Sequence, residues 1–185
     1  MSIYSWLIVL FWFIFLAYWL ISAIGMKKDI RSTNSWWGYS GIVLVVILLL
    51  FFQQSSFQFQ LIPHTTVVLI VGVILCGLGV VFAIWARRQL GKNWGSRPSA
   101  QQEGQELMTS GPYHFVRHPI YTGMLSALIG SALVGGTLWF IIFVLICVLL
   151  TWKRIRAEEK FMMQQFPNQY HDYKKRTRVL IPFVF

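Results

Sequence analysis

The chain has 185 residues, enough for one domain, of which 56% are hydrophobic, 17% aromatic and only 12% charged. This composition excludes a water-soluble globular protein. The formal net charge of +10 does not indicate nucleic-acid binding, because the basic residues lie between long uncharged stretches rather than along one polar face. We therefore expect an all-α integral membrane protein whose partner is the lipid bilayer.

Residues 1–26, 32–86 and 118–152 contain no Asp, Glu, Lys or Arg. Since about 20 apolar residues span a bilayer, these stretches predict one, two and two passes. The first is interpreted as a permanent span rather than a cleaved signal. The second divides at its polar residues into spans near Trp36–Phe52 and Pro63–Ala86.

The third stretch predicts a helical hairpin that turns at Gly135-Gly136. Halving it leaves roughly 26 Å per pass, less than the roughly 30 Å hydrocarbon core, so both passes are expected to be short. Its first half carries a face of small residues that would let another backbone approach closely: Gly123, Ala127 and Gly130. Cys76 and Cys147 lie in apolar stretches, so neither a disulfide nor a cysteine-ligated metal site is predicted.

In a five-pass arrangement, residues 27–31, 87–117 and 153–185 lie on one side with net charges of +2, +3 and +5. The positive-inside bias makes that side cytoplasmic and places the N-terminus outside. The chain then divides into three N-terminal spans over 1–86 and a catalytic region over 87–185. Within that region a loop (87–117) and the hairpin (118–152) precede a C-terminal arm (153–185).

Arg117-His118-Pro119 precedes the hairpin, and Tyr121 and Gly123 follow within it. Pro119 suits the first turn of a helix, which puts His118 beside free backbone N–H groups, a setting suited to an anion. The alternative is that these polar residues are interfacial anchors. A metal site at His114 and His118 is disfavoured, because Pro119 breaks the register that would pair the imidazoles.

The arm opens with a charged helix in which Arg154 can pair with Glu158 and Arg156 with Glu159. A solvated helix would explain these charges. Alternatively, because adjacent side chains point about 100° apart, one carboxylate faces a pocket while an arginine holds the other.

Farther along the arm, Tyr170 and Tyr173 are expected on one side of a short helix. Lys174 and Lys175 favour an electrostatic tether to anionic lipid. The apolar chain end could fold back and carry Arg176 and Arg178 over the site.

Taken together, these motifs resemble the isoprenylcysteine carboxyl methyltransferase family and, more loosely, the phospholipid N-methyltransferases. The resemblance covers about Leu90 to Phe183 and rests on these residues: Gly111-Pro112-Tyr113, Arg117-His118-Pro119, Tyr121, Gly123, Glu158-Glu159, Phe166, Tyr170, Tyr173 and Ile181-Pro182-Phe183.

The resemblance implies an S-adenosyl-L-methionine pocket at the cytosolic face and a lipophilic or prenylated substrate that enters from the bilayer. It assigns the cofactor site to Arg117, His118, Pro119, Tyr121, Gly123, Glu158 and Glu159. Tyr170 and Tyr173 become substrate candidates. If the acceptor is a carboxylate, no general base is needed, and Arg156 and Arg176 are the candidates to hold it.

Other acceptors and other classes stay open from the sequence. A phospholipid amine or a small thiol is the alternative acceptor. A nicotinamide-dependent membrane reductase would have no obvious use for the acidic pair. A non-enzymatic membrane assembly factor or transporter subunit is a further class. The transporter is disfavoured, since the N-terminal spans contain no intramembrane charge of the kind that marks ion pathways.

Overall fold

The computed structural model describes residues 2–23, 59–91 and 107–182. They form five α-helices and one short 3₁₀ helix: α1 (Ile3–Ala23), α2 (Thr66–Leu90), the 3₁₀ helix Gly111–His114, α3 (Pro119–Gly135), α4 (Leu138–Gln165) and α5 (Pro167–Arg176). The predicted all-α membrane fold is confirmed. The predicted span near Trp36–Phe52 lies outside the described residues.

Three of the described helices, α1, α2 and α4, are long and apolar enough to cross a membrane. With 17 residues, about 26 Å, α3 is as short as the sequence predicts. The next helix, α4, has 28 residues, because it continues without a break from the apolar stretch into the charged residues after Trp152. Its charged half therefore projects beyond the apolar stretch. The short pass predicted for the apolar stretch itself stays a prediction.

Two contacts show that α1 and α2 run in the same direction. Gly77 of α2 lies against the ring of Phe11, and ten residues later the buried Arg87 donates from Nη2 to the carbonyl of Ser22 at 3.1 Å. The guanidinium also lies 6.0 Å from the Trp19 ring. Both helices therefore end on the same side of the bundle.

Antiparallel packing of α2 and α3 depends on glycines. A Cβ atom at Gly79 would lie 2.5 Å from the carbonyl oxygen of Gly123, and one at Gly130 would lie 2.5 Å from that of Gly72. Because no side chain could fit there, the two backbones are in direct contact. The predicted close-packing face of α3 is confirmed, and its partner is α2.

A buried serine joins α1, α2 and α3. Ser131 of α3 accepts a hydrogen bond from Trp12 Nε1 of α1 at 3.0 Å and donates to the carbonyl of Ala127 at 2.8 Å. The Sγ of Cys76 from α2 lies 3.8 Å from the same hydroxyl. The serine thus fixes the rotation of the helices without placing a charge among them.

The hairpin turns at Gly136, as predicted. Its φ of 65° is left-handed, and its amide donates back to Ala132, the usual glycine ending of a helix. The segment before α2 packs on this turn, with Leu61 and Ile62 both donating to the carbonyl of Gly136. Since α3 returns antiparallel to α2, its first turn lies where α2 ends. Every described charged residue lies at this end.

Candidate active site

The return of the hairpin brings its two polar ends together. Tyr121 Oη, in the first turn of α3, donates to Glu158 Oε1 of α4 at 2.6 Å. Beside it, Arg117 Nε donates to Glu159 Oε1 at 2.6 Å. The two segments, about 40 residues apart in the sequence, are thus in contact, as predicted; that they form a cofactor pocket stays a prediction.

Within the described part of the chain, Glu158 has three polar neighbours, and all lie in the hairpin or directly beside it. Besides Tyr121, His118 Nδ1 lies 3.4 Å from Oε2, and Arg154 Nε lies 3.4 Å from Oε1, which confirms the predicted i,i+4 pair. The side chain keeps 23% of its surface exposed. Only the bond from Tyr121 is short, so the carboxylate can accept from a further donor.

His118 caps α3 and is buried. Its ring stacks on that of Tyr121 with centroids 5.8 Å apart, and its Nε2 lies 3.7 Å from Glu159 Oε1. Burial by itself lowers the pKa of the imidazole, but the hydrogen bonds and charges of Glu158 and Glu159 outweigh it and raise the pKa above 6.5. The geometry thus favours a protonated imidazole between two carboxylates.

Both carboxylate oxygens of Glu159 form ion pairs, but with residues other than the predicted Arg156. Oε1 takes Arg117 and Oε2 takes Lys174 Nζ at 3.0 Å. The predicted pair with Arg156 is wrong: that guanidinium is exposed and lies 5.3 Å from the Trp152 ring. Half-buried and buried cations already neutralise the carboxylate, so an exposed arginine would add little.

The terminal segment, residues 177–182, folds back over the start of α3. The amides of Arg117 and His118 donate to the carbonyls of Arg178 (2.8 Å) and Val179 (3.2 Å). Thr122 Oγ1 donates to the carbonyl of Leu180 at 2.7 Å. The folding back was predicted; the main-chain pairing was not, because no side-chain pattern signals a bridge of one residue pair.

The side chains of Arg176 and Arg178 are exposed at this end of the molecule. They do not join the described hydrogen bonds around Glu158. Arg176 and Arg156 therefore lie near the mouth without contacting it, and their assignment to an acceptor carboxylate stays a prediction.

Tyr170 and Tyr173 of α5 are buried. Tyr173 Oη donates to the carbonyl of Tyr113 at 2.6 Å, which docks α5 on the 3₁₀ helix. Burial raises the pKa of both phenols, so they remain protonated. The proposed substrate contact of these tyrosines stays a prediction.

The two lysines of α5 form ion pairs with different parts of the chain. Lys175 is exposed and pairs with Asp172 on its own helix at 3.2 Å, which leaves the predicted lipid tether possible there. For Lys174 that prediction is wrong, because its ammonium is directed inward to Glu159.

Two further predicted site residues are part of the framework. Pro119 occupies the first turn of α3, as predicted, and is fully buried. Gly123 touches the α2 backbone at Gly79. Both hold the first turn of α3 in place, and a contact with a cofactor stays a prediction for each.

A scan against protein-family models matches residues 67–169 to the family described as phospholipid methyltransferase. Among curated proteins, the protein-S-isoprenylcysteine O-methyltransferase of Saccharomyces cerevisiae is 30% identical over 122 residues, covering 65% of this chain and 51% of the yeast protein. A probable protein-S-isoprenylcysteine O-methyltransferase of Oryza sativa subsp. indica is 29% identical over 116 residues, covering 62% and 61%.

Among solved structures, a eukaryotic intramembrane Ras methyltransferase, an isoprenylcysteine carboxyl methyltransferase, superposes with a TM-score of 0.67 at 22% identity. The match covers 96% of this chain and 64% of that one, and it shows a shared fold. The chain thus spans about half to two thirds of the length of these relatives. Because the family model takes in more than half of the chain, including the hairpin and the acidic pair, the chain belongs to the phospholipid methyltransferase family.

Proposed function

We propose that this protein is an integral membrane methyltransferase that uses S-adenosyl-L-methionine and methylates the carboxylate of a lipophilic, isoprenylcysteine-type acceptor. The observation that carries the proposal is the cluster of Glu158, His118 and Tyr121 at the mouth of the hairpin. It lies inside the segment that matches the family. Two curated relatives bear the name of that activity.

The residues at the mouth fit the charged ends of the cofactor. Glu158 keeps part of its carboxylate exposed and would take the α-amino group. His118, protonated, and the first N–H groups of α3 suit the carboxylate. The face of Tyr121 suits the sulfonium. When bound, the cofactor supplies an electrophilic methyl group, and these residues orient it and limit the access of water.

The acceptor is expected to be amphiphilic. Exposed apolar side chains line α4 up to Trp152, where the charged half begins: Leu145, Ile146, Val148, Leu149 and Leu150. A lipophilic chain could therefore approach the mouth sideways from the bilayer, with its head group shallow in the membrane. A carboxylate head needs no general base but needs a cation, and Arg156 and Arg176 are exposed at this end.

A phospholipid amine is the second candidate acceptor, and the description of the matched family favours it. Transfer to an amine differs in one respect: the amine must arrive deprotonated or meet a base. Raising the pH should therefore accelerate amine methylation and leave carboxylate methylation unchanged in the chemical step.

The test uses the detergent-solubilised full chain with labelled cofactor and three acceptors: N-acetyl-S-farnesylcysteine, phosphatidylethanolamine and a short alkyl thiol. We expect the farnesyl compound to react fastest and its chain-truncated counterpart more slowly, because binding of the chain helps to align the head group. Binding of S-adenosylhomocysteine but not of NADPH separates a methyltransferase from a reductase. Absence of binding and of transfer would refute the proposal.

A further inference from the structure

The adjacent residues Glu158 and Glu159 connect α4 to different parts of the chain. Among the described residues, the polar partners of Glu158 are Tyr121, His118 and Arg154, all from the start of α3 or the charged half of α4. Those of Glu159 include Lys174, which belongs to α5. Glu159 therefore joins α4 to a part of the chain that Glu158 does not touch.

Arg117 extends this connection. Its Nε donates to Glu159, and its Nη1 donates to the carbonyl of Thr177 at 2.6 Å, immediately after α5. The side chains of Arg117 and Glu159 are only 8% and 15% exposed, so water screens the pair little. One carboxylate thus fixes the end of α5 through a lysine and through an arginine.

Beyond Thr177 the terminal segment lies directly on His118 and Thr122, the first turn of α3. Three main-chain hydrogen bonds hold it there around a single bridged pair, Val116 and Arg178, and the third runs from the amide of Arg178 to the carbonyl of Phe115 at 3.3 Å. Such a short pairing is not stable by itself. Glu159 adds to these direct bonds, because it fixes Arg117 and Lys174, the two side chains that lie where the segment leaves α5.

We infer that Glu159 is a positioning residue: with Arg117 and Lys174 it clamps the end of α5 and the terminal segment onto the first turn of α3, and it supports ligand binding by Glu158 and His118 without contacting the ligand itself. The identity of that ligand rests on the proposed function; the clamp does not. Glu158 is the carboxylate that meets the ligand.

Hydrogen exchange of the full chain in detergent, followed by mass spectrometry of peptides, tests the clamp directly. Glu159→Gln and Lys174→Met should each accelerate exchange in peptides covering 115–118 and 177–182 about tenfold or more, as expected when a charged hydrogen bond is lost. Lys175→Met, at the neighbouring exposed lysine, should leave these peptides unchanged. The double variant of Glu159 and Lys174 should exchange no faster than Glu159→Gln, because both substitutions break one connection.

Binding of S-adenosylhomocysteine is measured on the same variants. Under the inference, Lys174→Met loosens the segment and weakens binding, although its ammonium is directed to Glu159. If Glu159→Gln weakens binding while exchange of both peptides stays at the wild-type rate, Glu159 is a ligand group and the inference is overturned. Unchanged exchange in Lys174→Met overturns it too, even if Glu159→Gln fails to fold. If neither the wild type nor any variant binds S-adenosylhomocysteine, the proposed function fails. The exchange rates then still decide whether the clamp exists.

Discussion

At the scale of single residues, the site is a compact set of alternating charges. His118 lies between two carboxylates, which are themselves paired with arginines and a lysine. Removing one member would leave a buried charge without its partner. The resulting loss in the free energy of unfolding is larger than the net stabilisation that the intact pair provides. We therefore expect conservative substitutions here to act strongly and differently from one another.

The raised pKa of His118 predicts how stability depends on pH. Because the folded-state pKa lies above the ordinary value of 6.5, the imidazolium contributes stability that is fully present below about pH 6.5 and is lost as the pH rises through the folded-state pKa. The thermal midpoint of the ligand-free wild type should fall over this window relative to that of His118→Gln. His114→Gln, at an exposed histidine of the 3₁₀ helix, should keep the wild-type profile. Parallel profiles for wild type and His118→Gln would contradict the charged imidazole.

The short bond between Tyr121 and Glu158 predicts a binding defect. Tyr121→Phe and Glu158→Gln should each weaken S-adenosylhomocysteine binding roughly ten- to a hundredfold, since a hydrogen bond to a charged group contributes about 1.5–3 kcal/mol. Calorimetric titration measures the dissociation constant of S-adenosylhomocysteine. Tyr4→Phe serves as the matched control, because Tyr4 lies at the start of α1, at the uncharged end of the bundle. Wild-type affinity in both site variants would return these residues to the role of interfacial anchors.

The exposed arginines give a prediction about the acceptor. Arg156→Gln or Arg176→Gln should raise KM more for a prenylated carboxylate acceptor than for phosphatidylethanolamine, because the reacting head group is an anion only in the first, while the second offers a cation only its phosphate. Initial rates over a range of acceptor concentrations separate the two, and Lys153→Gln serves as the control. Equal effects on both acceptors would argue for general attraction to the lipid surface instead.

Residue-scale prediction from sequence succeeded where chemistry and helical spacing act together. Glu158 with Arg154 follows from i,i+4 geometry, and its approach to Tyr121 follows from a hairpin that returns to one side. The partners of Glu159 could not be predicted, because Lys174 reaches it from α5 and its direction depends on the fold after α4. The same reason explains the wrong assignment of Lys174 to lipid.

At the scale of elements, the contact between α2 and α3 determines where the site lies. Glycines at matching positions bring the backbones together and fix the height at which α3 begins. Sequence alone shows that one face of α3 is small. It does not show which helix occupies that face, because the glycines of α2 are spread through an equally apolar helix.

Filling this contact should destabilise the bundle. Gly79→Ala and Gly130→Ala each place a methyl group against backbone, which cannot yield as a side chain can, so we expect a loss of about 1–3 kcal/mol and a lower thermal midpoint in detergent. Gly77→Ala, also in α2, meets the movable ring of Phe11 and should cost less. Equal midpoints for all three would show that the backbones are not in contact.

At the scale of the whole molecule, charge separates the two ends. The described charged residues lie from Arg87 onward. All are at the end of the bundle where α1 and α2 end, where α3 begins and to which α4 returns. The turn at Gly136 and the segment paired with it form the uncharged end. The distribution along the sequence predicts this polarity correctly, because the cost of moving a charge through lipid constrains every helix alike.

The side of the membrane is a separate prediction. In a background without Cys76 and Cys147, Gln60→Cys should be labelled by an impermeant reagent from outside the cell, and Lys175→Cys only after the membrane is opened. The positive-inside bias gives this direction. Labelling in the reverse order would place the mouth of the hairpin outside.

The pairing of Arg117 with the carbonyl of Thr177, 60 residues later, has a consequence for biosynthesis. Chains are made from the N-terminus, so α1 to α3 can enter the bilayer and pack through their glycines while the ribosome is still adding α4. Arg117 and Glu159 can pair once α4 is made, but the contact of Glu159 with Lys174 forms only after α5 is added. The nascent protein therefore holds α1 to α3 packed together before these polar contacts are complete, because Lys174 and Thr177 are translated only after α4.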